Sequence, residues 1–461
     1  MAVKDLFAPV DMTEKNPVAQ IIKFTIPMLL GNIAQQLYNT VDSIIVGRFV
    51  GDNALAAVGS AGPILNLMIV LFVGISMGAS IMVSQYFGAR QRERLSRSIG
   101  NCITVTGMAV LFIMIVGPLI TRPLLSLLST PESIIGWCQS YLTIIFVGIV
   151  GSGYYNILSG VLRGLGDSVS ALVYLLVATI LNIILDLVFV AVFGMGVSGV
   201  ALATIIAQFI SAILCIRKLL KMTDIFELKR EHLAPNKEYM MPLIRLGLPS
   251  GVTQAIMSMS MIVVQSLTNS FGEMFIASNV IVMRIDGFVM LPAFSFGTAM
   301  TTFAGQNIGA GKTDRVLKGA RNGTLVAMGI SSVLTVLILV FGRNLMGIFT
   351  KTEELIDLSY HMMQILAVGY IAMEVTQCLS GIMRGAGDTI TPMWISIVSS
   401  VALRIPLAYG LVALTKTPEL VQGNCAMMYV SLLITWTVGA LLTLLMYRLG
   451  RWKDKGLFQE A

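Results

Sequence analysis

Charge is what this chain has least of. Asp, Glu, Lys and Arg make up 12% of its 461 residues, where a soluble domain carries about a quarter. With 56% hydrophobic residues and a mean hydropathy of +0.84, the chain lacks the polar surface needed to dissolve, and an integral membrane protein is expected. Histidine is nearly absent: His232 and His361 are the only two, which argues against a histidine-built metal centre. The five cysteines, Cys102, Cys138, Cys215, Cys378 and Cys425, show no CxxC and no paired spacing, so neither a disulfide framework nor a zinc site is expected, only apolar filling of helices. The opening MAVKDLFAPVDMTEKNP has no apolar core and no small-residue cleavage site, and no signal peptide is expected there. No nucleophile–base pair, nucleotide loop or metal motif is visible, so an enzyme is not expected and no cofactor is called for. The net charge of +7 comes without basic clusters interleaved with aromatics, which argues against a nucleic-acid partner.

What the chain does have is long apolar runs. A bilayer core needs about 20 mostly apolar residues per helix. That rule predicts six spans near 21–46, 54–83, 99–120, 134–158, 169–192 and 197–216, and six more near 243–269, 275–304, 320–341, 356–382, 389–412 and 426–447. The runs are too long and too continuous for barrel strands. Lys and Arg fall unevenly. One side collects Lys4, Lys15 and Lys23, the Arg90–Arg97 cluster, Arg163, the stretch Arg217–Arg245, the Lys312–Arg321 cluster, Arg384 and the basic tail, against Arg48, Arg122, Arg343, Lys351 and Lys416 on the other. Both termini are therefore expected in the cytoplasm.

The chain also repeats itself. LSGVLRGLGD at Leu158–Asp167 returns as LSGIMRGAGD at Leu379–Asp388. Ser84–Ala89 corresponds to Gly305–Ala310 on the same spacing, and Ile26-Pro27 to Leu248-Pro249 one residue off it. Two similar lobes are expected, 1–220 and 241–461, joined by a charged, solvated connector over 221–240. Six spans per half is an even number, so both halves enter the membrane with the same polarity, as parallel repeats do. Two such bundles on one linker have the geometry of alternating access. The fold class is thus all-α, with twelve transmembrane helices in two pseudo-symmetric six-helix lobes.

Ionisable residues inside a span are costly and usually functional. In the first span Gln35, Tyr38, Asn39 and Asp42 fall on one helical face; in the fifth, Asn182 and Asp186 are four apart. Asn156 and Thr204 add neutral oxygens. Together these form a candidate cation site. Desolvation and a neighbouring like charge favour the protonated form of a carboxylate, and the same oxygens suit a sodium ion; the bland alternative is that each Asp only hydrogen-bonds between helices. The second half serves as an internal control, since the positions matching Asp42 and Asp186 are Val263 (or Val264) and Leu407. The scaffold does not require the carboxylates.

The second half has its own intramembrane charges: Arg284, Asp286, Glu374 and Arg404. Arg284 and Asp286, two apart, point to different faces, and Arg284 is a candidate for a coupling or cavity role. Asp286 is expected either to face a cavity or to bridge to Arg404, and Arg404 and Glu374 to join a structural salt-bridge network. The twin RG(L/A)GD motifs read as packing turns whose Arg and Asp tie neighbouring helices. Of 29 methionines, Met257 and Met261 are candidates for a deformable pocket, with ordinary helix packing as the alternative.

With Pro27 and a first helix ending NTVDSIIVGRFVG, then SQYFGAR, LNIILD and the LRGLGD/MRGAGD pair, nearly the whole chain resembles the multidrug and toxic compound extrusion (MATE) family of cation-coupled exporters. It is more similar to the DinF-like branch, which has an Asp in helix one and an Asp in helix five, matching Asp42 and Asp186. The resemblance implies that Asn156, Asn182 and Thr204 are polar companions of that site and that Arg284 is the branch's membrane-embedded arginine; Gln35, Tyr38, Asn39, Arg284, Asp286, Met257 and Met261 are expected to line a substrate cavity. The NorM-like branch uses carboxylates in helices seven and ten, where this chain offers Gln254 and Glu374. What is implied is a monomeric antiporter among the lipids of a bacterial inner membrane, driven by H+ or by Na+ and exporting small drug-like, amphipathic cations. A lipid or lipid-linked oligosaccharide flippase of the same superfamily is the alternative, and a passive channel a further one.

Overall fold

The computed structural model describes residues 9–128, 130–418 and 420–457; Lys4 of the orientation argument lies outside them. The apolar runs become helices in chain order: α1 Pro17–Phe49, α2 Asp52–Gly88, α3 Arg92–Leu127, α4 Glu132–Val147, α5 Val150–Gly164, α6 Ser168–Asp186, α7 Gly196–Leu220, α8 Lys237–Asn269, α9 Glu273–Val289, α10 Leu291–Gly309, α11 Thr313–Met346, α12 Glu353–Ala367, α13 Gly369–Gly385, α14 Ile390–Ile397, α15 Arg404–Leu414 and α16 Ala426–Leu449. Among the described residues ten helical stretches are long and apolar enough to cross a membrane. Two bent pairs, α4/α5 at 53° and α12/α13 at 45°, bring the number to twelve when each pair is one span. Widely exposed apolar side chains such as Leu111, Phe112 and Leu119 on α3 suit lipid rather than water.

Two of the spans are not regular. α6 runs on as a π-helical turn, Leu187–Val192, and α14 is joined to α15 by another, Val398–Leu403. Pro406, just inside α15, has no N–H to give to the preceding turn, which accounts for the second. Asp186 borders one π turn and Arg404 the other.

The chain divides into two compact units. One takes Ile26–Gly251 together with the described residues up to Asp11; the other takes Met12–Thr25 and everything from Val252. The boundary expected in the connector is therefore not where the units part. Both borders fall inside long helices, beside Pro27 in α1 and Pro249 in α8. The start of α8 packs into the first unit, where Gly247 meets the Gly74 carbonyl of α2. Met12 is held in the second unit, its N–H donating to Gln306 Oε1 at 2.8 Å and its carbonyl accepting from Asn307 Nδ2 at 3.1 Å.

The connector keeps its charged side chains exposed, as a solvated linker does, but it does not run free. It is strapped along α3, whose residues at every fourth position face it. Arg92 donates to the Thr223 carbonyl, Ser96 Oγ accepts from Glu227 N at 3.1 Å, and Thr104 Oγ1 donates to the Leu233 carbonyl at 2.6 Å. Gly100 lies directly against the backbone of His232, and that histidine is 2% exposed. The charge pattern signalled water contact, and the spacing of small and polar residues on α3 adds the strap beneath it.

The RG(L/A)GD motif has a plain structural reading. Gly166 and Gly387 have φ of +89° and +103°, the left-handed region that a side chain resists. Each Asp then caps the next helix: Asp167 accepts from Ser170 N at 2.8 Å, and Asp388 from Thr391 N at 3.1 Å. Tying between helices is shared out differently from the expectation. Arg163 donates to Ser76 Oγ of α2 at 3.1 Å, and Asp167 lies 3.5 Å from Lys218 Nζ of α7, whereas Asp388 serves the cap and the half-buried Arg384 leaves its Nε unpartnered.

Candidate functional site

In the first unit α1, α6 and α7 bring the expected polar residues together. Asn182 and Asp186, one turn apart on α6, are fully buried. Tyr38 and Asp42, one turn apart on α1, come to them, and the carboxyl groups of Asp42 and Asp186 lie within hydrogen-bond reach of each other. An Oδ1 of each has no other partner. Two carboxylates accept but do not donate, so this contact is stable only with a proton or another cation between them. The Asn182 amide is satisfied at both ends when its nitrogen donates to Asp186 Oδ2 at 3.0 Å and its oxygen accepts from Thr204 N at 3.2 Å. Tyr38 Oη lies 3.5 Å from Thr204 Oγ1. The set is thus two carboxyls steadied by an amide and a hydroxyl.

Not every expected member joins. Asn156 donates to the Ser152 carbonyl of its own helix at 2.8 Å, as a side chain one turn along the same helix readily does, and no hydrogen bond takes it to the pair. Asn39 is exposed and accepts from Gln35 Nε2 at 3.4 Å. Gln35 and Tyr38 line a narrow recess with Asn182 and Gln208 that has no room for a water-sized body. Tyr141 of α4 was missed: it is buried within electrostatic range of both carboxyls. A tyrosine in an apolar span was its only signal.

The second unit holds a cavity of about 260 Å³ lined chiefly by α8, α9 and α16. Six methionines line it, Met257 and Met261 among them, with Phe294, Tyr429 and Trp436. Asp286 and Arg404 line the same cavity. Asp286 Oδ1 accepts from Tyr370 Oη at 2.9 Å, and Tyr429 Oη donates to Asn279 Oδ1 at 2.7 Å. Arg284 does not line it. Two residues before Asp286 on the same helix, it points the other way and is exposed, as the i, i+2 spacing requires.

The salt-bridge network expected of Arg404 and Glu374 is not there. Among the described residues neither has an ion pair, and Glu374, 2% exposed, leaves Oε2 without a partner. The reason lies in what α13 packs against. The buried faces of α10 and α11 offer Gly297, Met300 and Thr301, and Gly323, Thr324 and Ala327, none of them charged. No group of three or more His, Cys, Asp or Glu side chains gathers among the described residues.

The MatE family model matches twice, over residues 27–188 and 249–410; both matches begin at the prolines that border the compact units. Among curated proteins, the chain is 32% identical to the probable multidrug resistance protein YoeA of Bacillus subtilis over 85% of this chain and 86% of that one. It is 30% identical to the probable multidrug resistance protein YpnP of the same organism over 98% and 99%. Among solved structures, it superposes on a MATE transporter in complex with MaL6 with a TM-score of 0.88 at 23% identity, covering 95% of this chain and 97% of the other. An outward-facing MATE transporter of the MOP superfamily gives the same figures. Twelve apolar spans, a twofold match to one family model and full-length relatives lead to one assignment: the chain belongs to the MATE family of multi-pass membrane transporters and is not an enzyme.

Proposed function

We propose that the chain is a cation-coupled exporter of amphipathic, drug-like solutes, with Asp42 and Asp186 as its coupling site. The observation that carries this reading is the buried contact between the two carboxyl groups, which a cation must bridge. A proton is favoured over sodium because the pair is tight, its supporting oxygens are few, and the recess beside it is too narrow for a water-sized body. Binding of the cation neutralises the pair and shifts α1, and solute is released outside as the two units alternate between inward- and outward-open states. A bound species moves such an equilibrium only through its differential affinity for the two states, and the buried pair provides that difference. The carboxylates in helices one and five favour the DinF-like branch. The excess of Lys and Arg on one side supports cytoplasmic termini in a bacterial inner membrane, with the monomer surrounded by lipid as the working unit.

Proteoliposomes loaded with a cationic dye test the reading, with a pH gradient and a sodium gradient imposed separately. Transport should follow the pH gradient and be lost in Asp42→Asn and Asp186→Asn. Full-rate pumping by both variants would sink the mechanism, and pumping on the sodium gradient alone would transfer the site from proton to sodium.

A further inference from the structure

The two halves of the chain differ at one matched helix face. In the first unit α3 carries the connector on the side of Gly100 and Thr104, where Gly100 lies against His232 and Thr104 donates to the Leu233 carbonyl. On the spacing of the repeats these positions return on α11 as Arg321 and Leu325, and Arg97 returns as Lys318. The small and hydroxyl side chains that admit a strap have become a guanidinium and a long aliphatic group. Among the described residues no strap covers them: Lys318 and Arg321 are exposed, and Leu325 is 55% exposed. Farther along, the same side of α11 stays apolar and open, with Val333 and Val336 following at helical spacing, both more than half exposed. We propose that this side of α11 is a docking site for an anionic phospholipid, its headgroup held by Lys312, Lys318 and Arg321 and an acyl chain lying along Leu325, Val333 and Val336.

The start of α11 has room for such a headgroup. A recess of about 580 Å³ is lined there by Pro17, by Gly311–Arg315 and by Lys318, all of the second unit. Asp314 is the one acidic residue lining it, and it stands in the first turn of α11, where a carboxylate complements the helix dipole. Arg315 is taken up by the carbonyls of Met12 and Glu14 and pins that segment. Lys312 Nζ gives one of its three donors to the Thr13 carbonyl at 2.9 Å, which leaves two for an anion. Lys318 lines the recess, and Arg321 stands one turn further along the helix. Basic pockets at the ends of transmembrane helices hold phosphate headgroups, and the attraction grows with each Lys or Arg near the surface. The cations select an anionic lipid over a zwitterionic one. The open apolar stripe below them selects a lipid over a soluble phosphate ester.

Native mass spectrometry of the purified full-length protein in a neutral detergent counts bound lipids. Dioleoylphosphatidylglycerol and dioleoylphosphatidylcholine serve as probes with the same chains and different headgroup charge. The unaltered protein should retain one phosphatidylglycerol at a concentration about tenfold below that needed for phosphatidylcholine. Lys318→Gln combined with Arg321→Gln should bring the two lipids to about the same concentration; both side chains are exposed, so the fold does not depend on them. Lys221→Gln combined with Arg230→Gln removes the same charge from exposed positions of the connector and should leave the preference in place. An equal loss in that second pair would mean a response to net charge alone and would overturn the site. Leu325→Gln should weaken phosphatidylglycerol several-fold with every charge still present. Equal retention of both lipids by the unaltered protein, or a preference that survives Lys318→Gln with Arg321→Gln, would also overturn the proposal. So would displacement of the lipid by equimolar sn-glycerol 3-phosphate, which would make the recess a site for a free phosphate ester. No residue of this site belongs to the Asp42–Asp186 pair, so dye export on an imposed gradient stands or falls without it.

Discussion

Asn182 does the most at the scale of single residues. It is one turn from Asp186 on α6 and reaches across to the backbone of Thr204 on α7, so it sets the direction in which the carboxyl group points. Replacing it with leucine leaves Asp186 Oδ2 without its donor in a buried place, a change that costs about 1–3 kcal/mol. Asn182→Leu should therefore melt earlier in detergent and lose coupled transport, while Asn182→Asp should add a third carboxyl and shift the pH dependence of transport. The sequence made this residue legible, because an amide four positions from an aspartate in an apolar helix has few innocent explanations. It overstated Asn156 for the same reason. A polar side chain in a span can as well fold back onto its own helix, and the choice depends on what the neighbouring helix offers, which a single chain of letters does not contain. Tyr370 and Tyr429 were passed over because tyrosine is common at membrane boundaries and nothing in its spacing marks the hydroxyl as a partner of Asp286 or Asn279.

At the scale of elements, the connector and α3 form a unit of their own. Gly100 is the position that admits the connector, since a Cβ there would collide with the His232 carbonyl. Gly100→Ala should lift the segment off α3 and expose it, with limited proteolysis between Lys221 and Lys237 accelerated several-fold relative to the unaltered protein. The helix cap offers a second test. Asp167→Ala removes the N-terminal cap of α6 and should cost about 1 kcal/mol, read as a lower melting temperature; Asp167→Asn, which can still accept, should recover most of it. The hydropathy pattern predicted the helices well because the bilayer demands long apolar runs and leaves backbone groups no other way to pair. It could not predict the breaks between α4 and α5 or between α12 and α13. Those depend on packing against neighbours rather than on any single proline, and the sequence there stays apolar throughout.

For the whole molecule, the duplication was readable from two ten-residue segments, and the halves matched by the family model begin beside the prolines that border the compact units. The asymmetry between halves was readable too, since the second lacks counterparts of Asp42 and Asp186. What the repeats concealed is an exchange of ends. Residues 12–25 belong with the second unit and residues 237–251 with the first, because helix continuity carries each stretch past the point where its half of the sequence would stop. That exchange bears on how the protein is made. The ribosome delivers residues 12–25 ahead of the rest of their unit, and the surface that receives them, around Gln306 and Asn307, is translated almost three hundred residues later. That stretch is therefore among the last to find its place, and a nascent chain halted at the connector holds residues 12–25 with nowhere to dock.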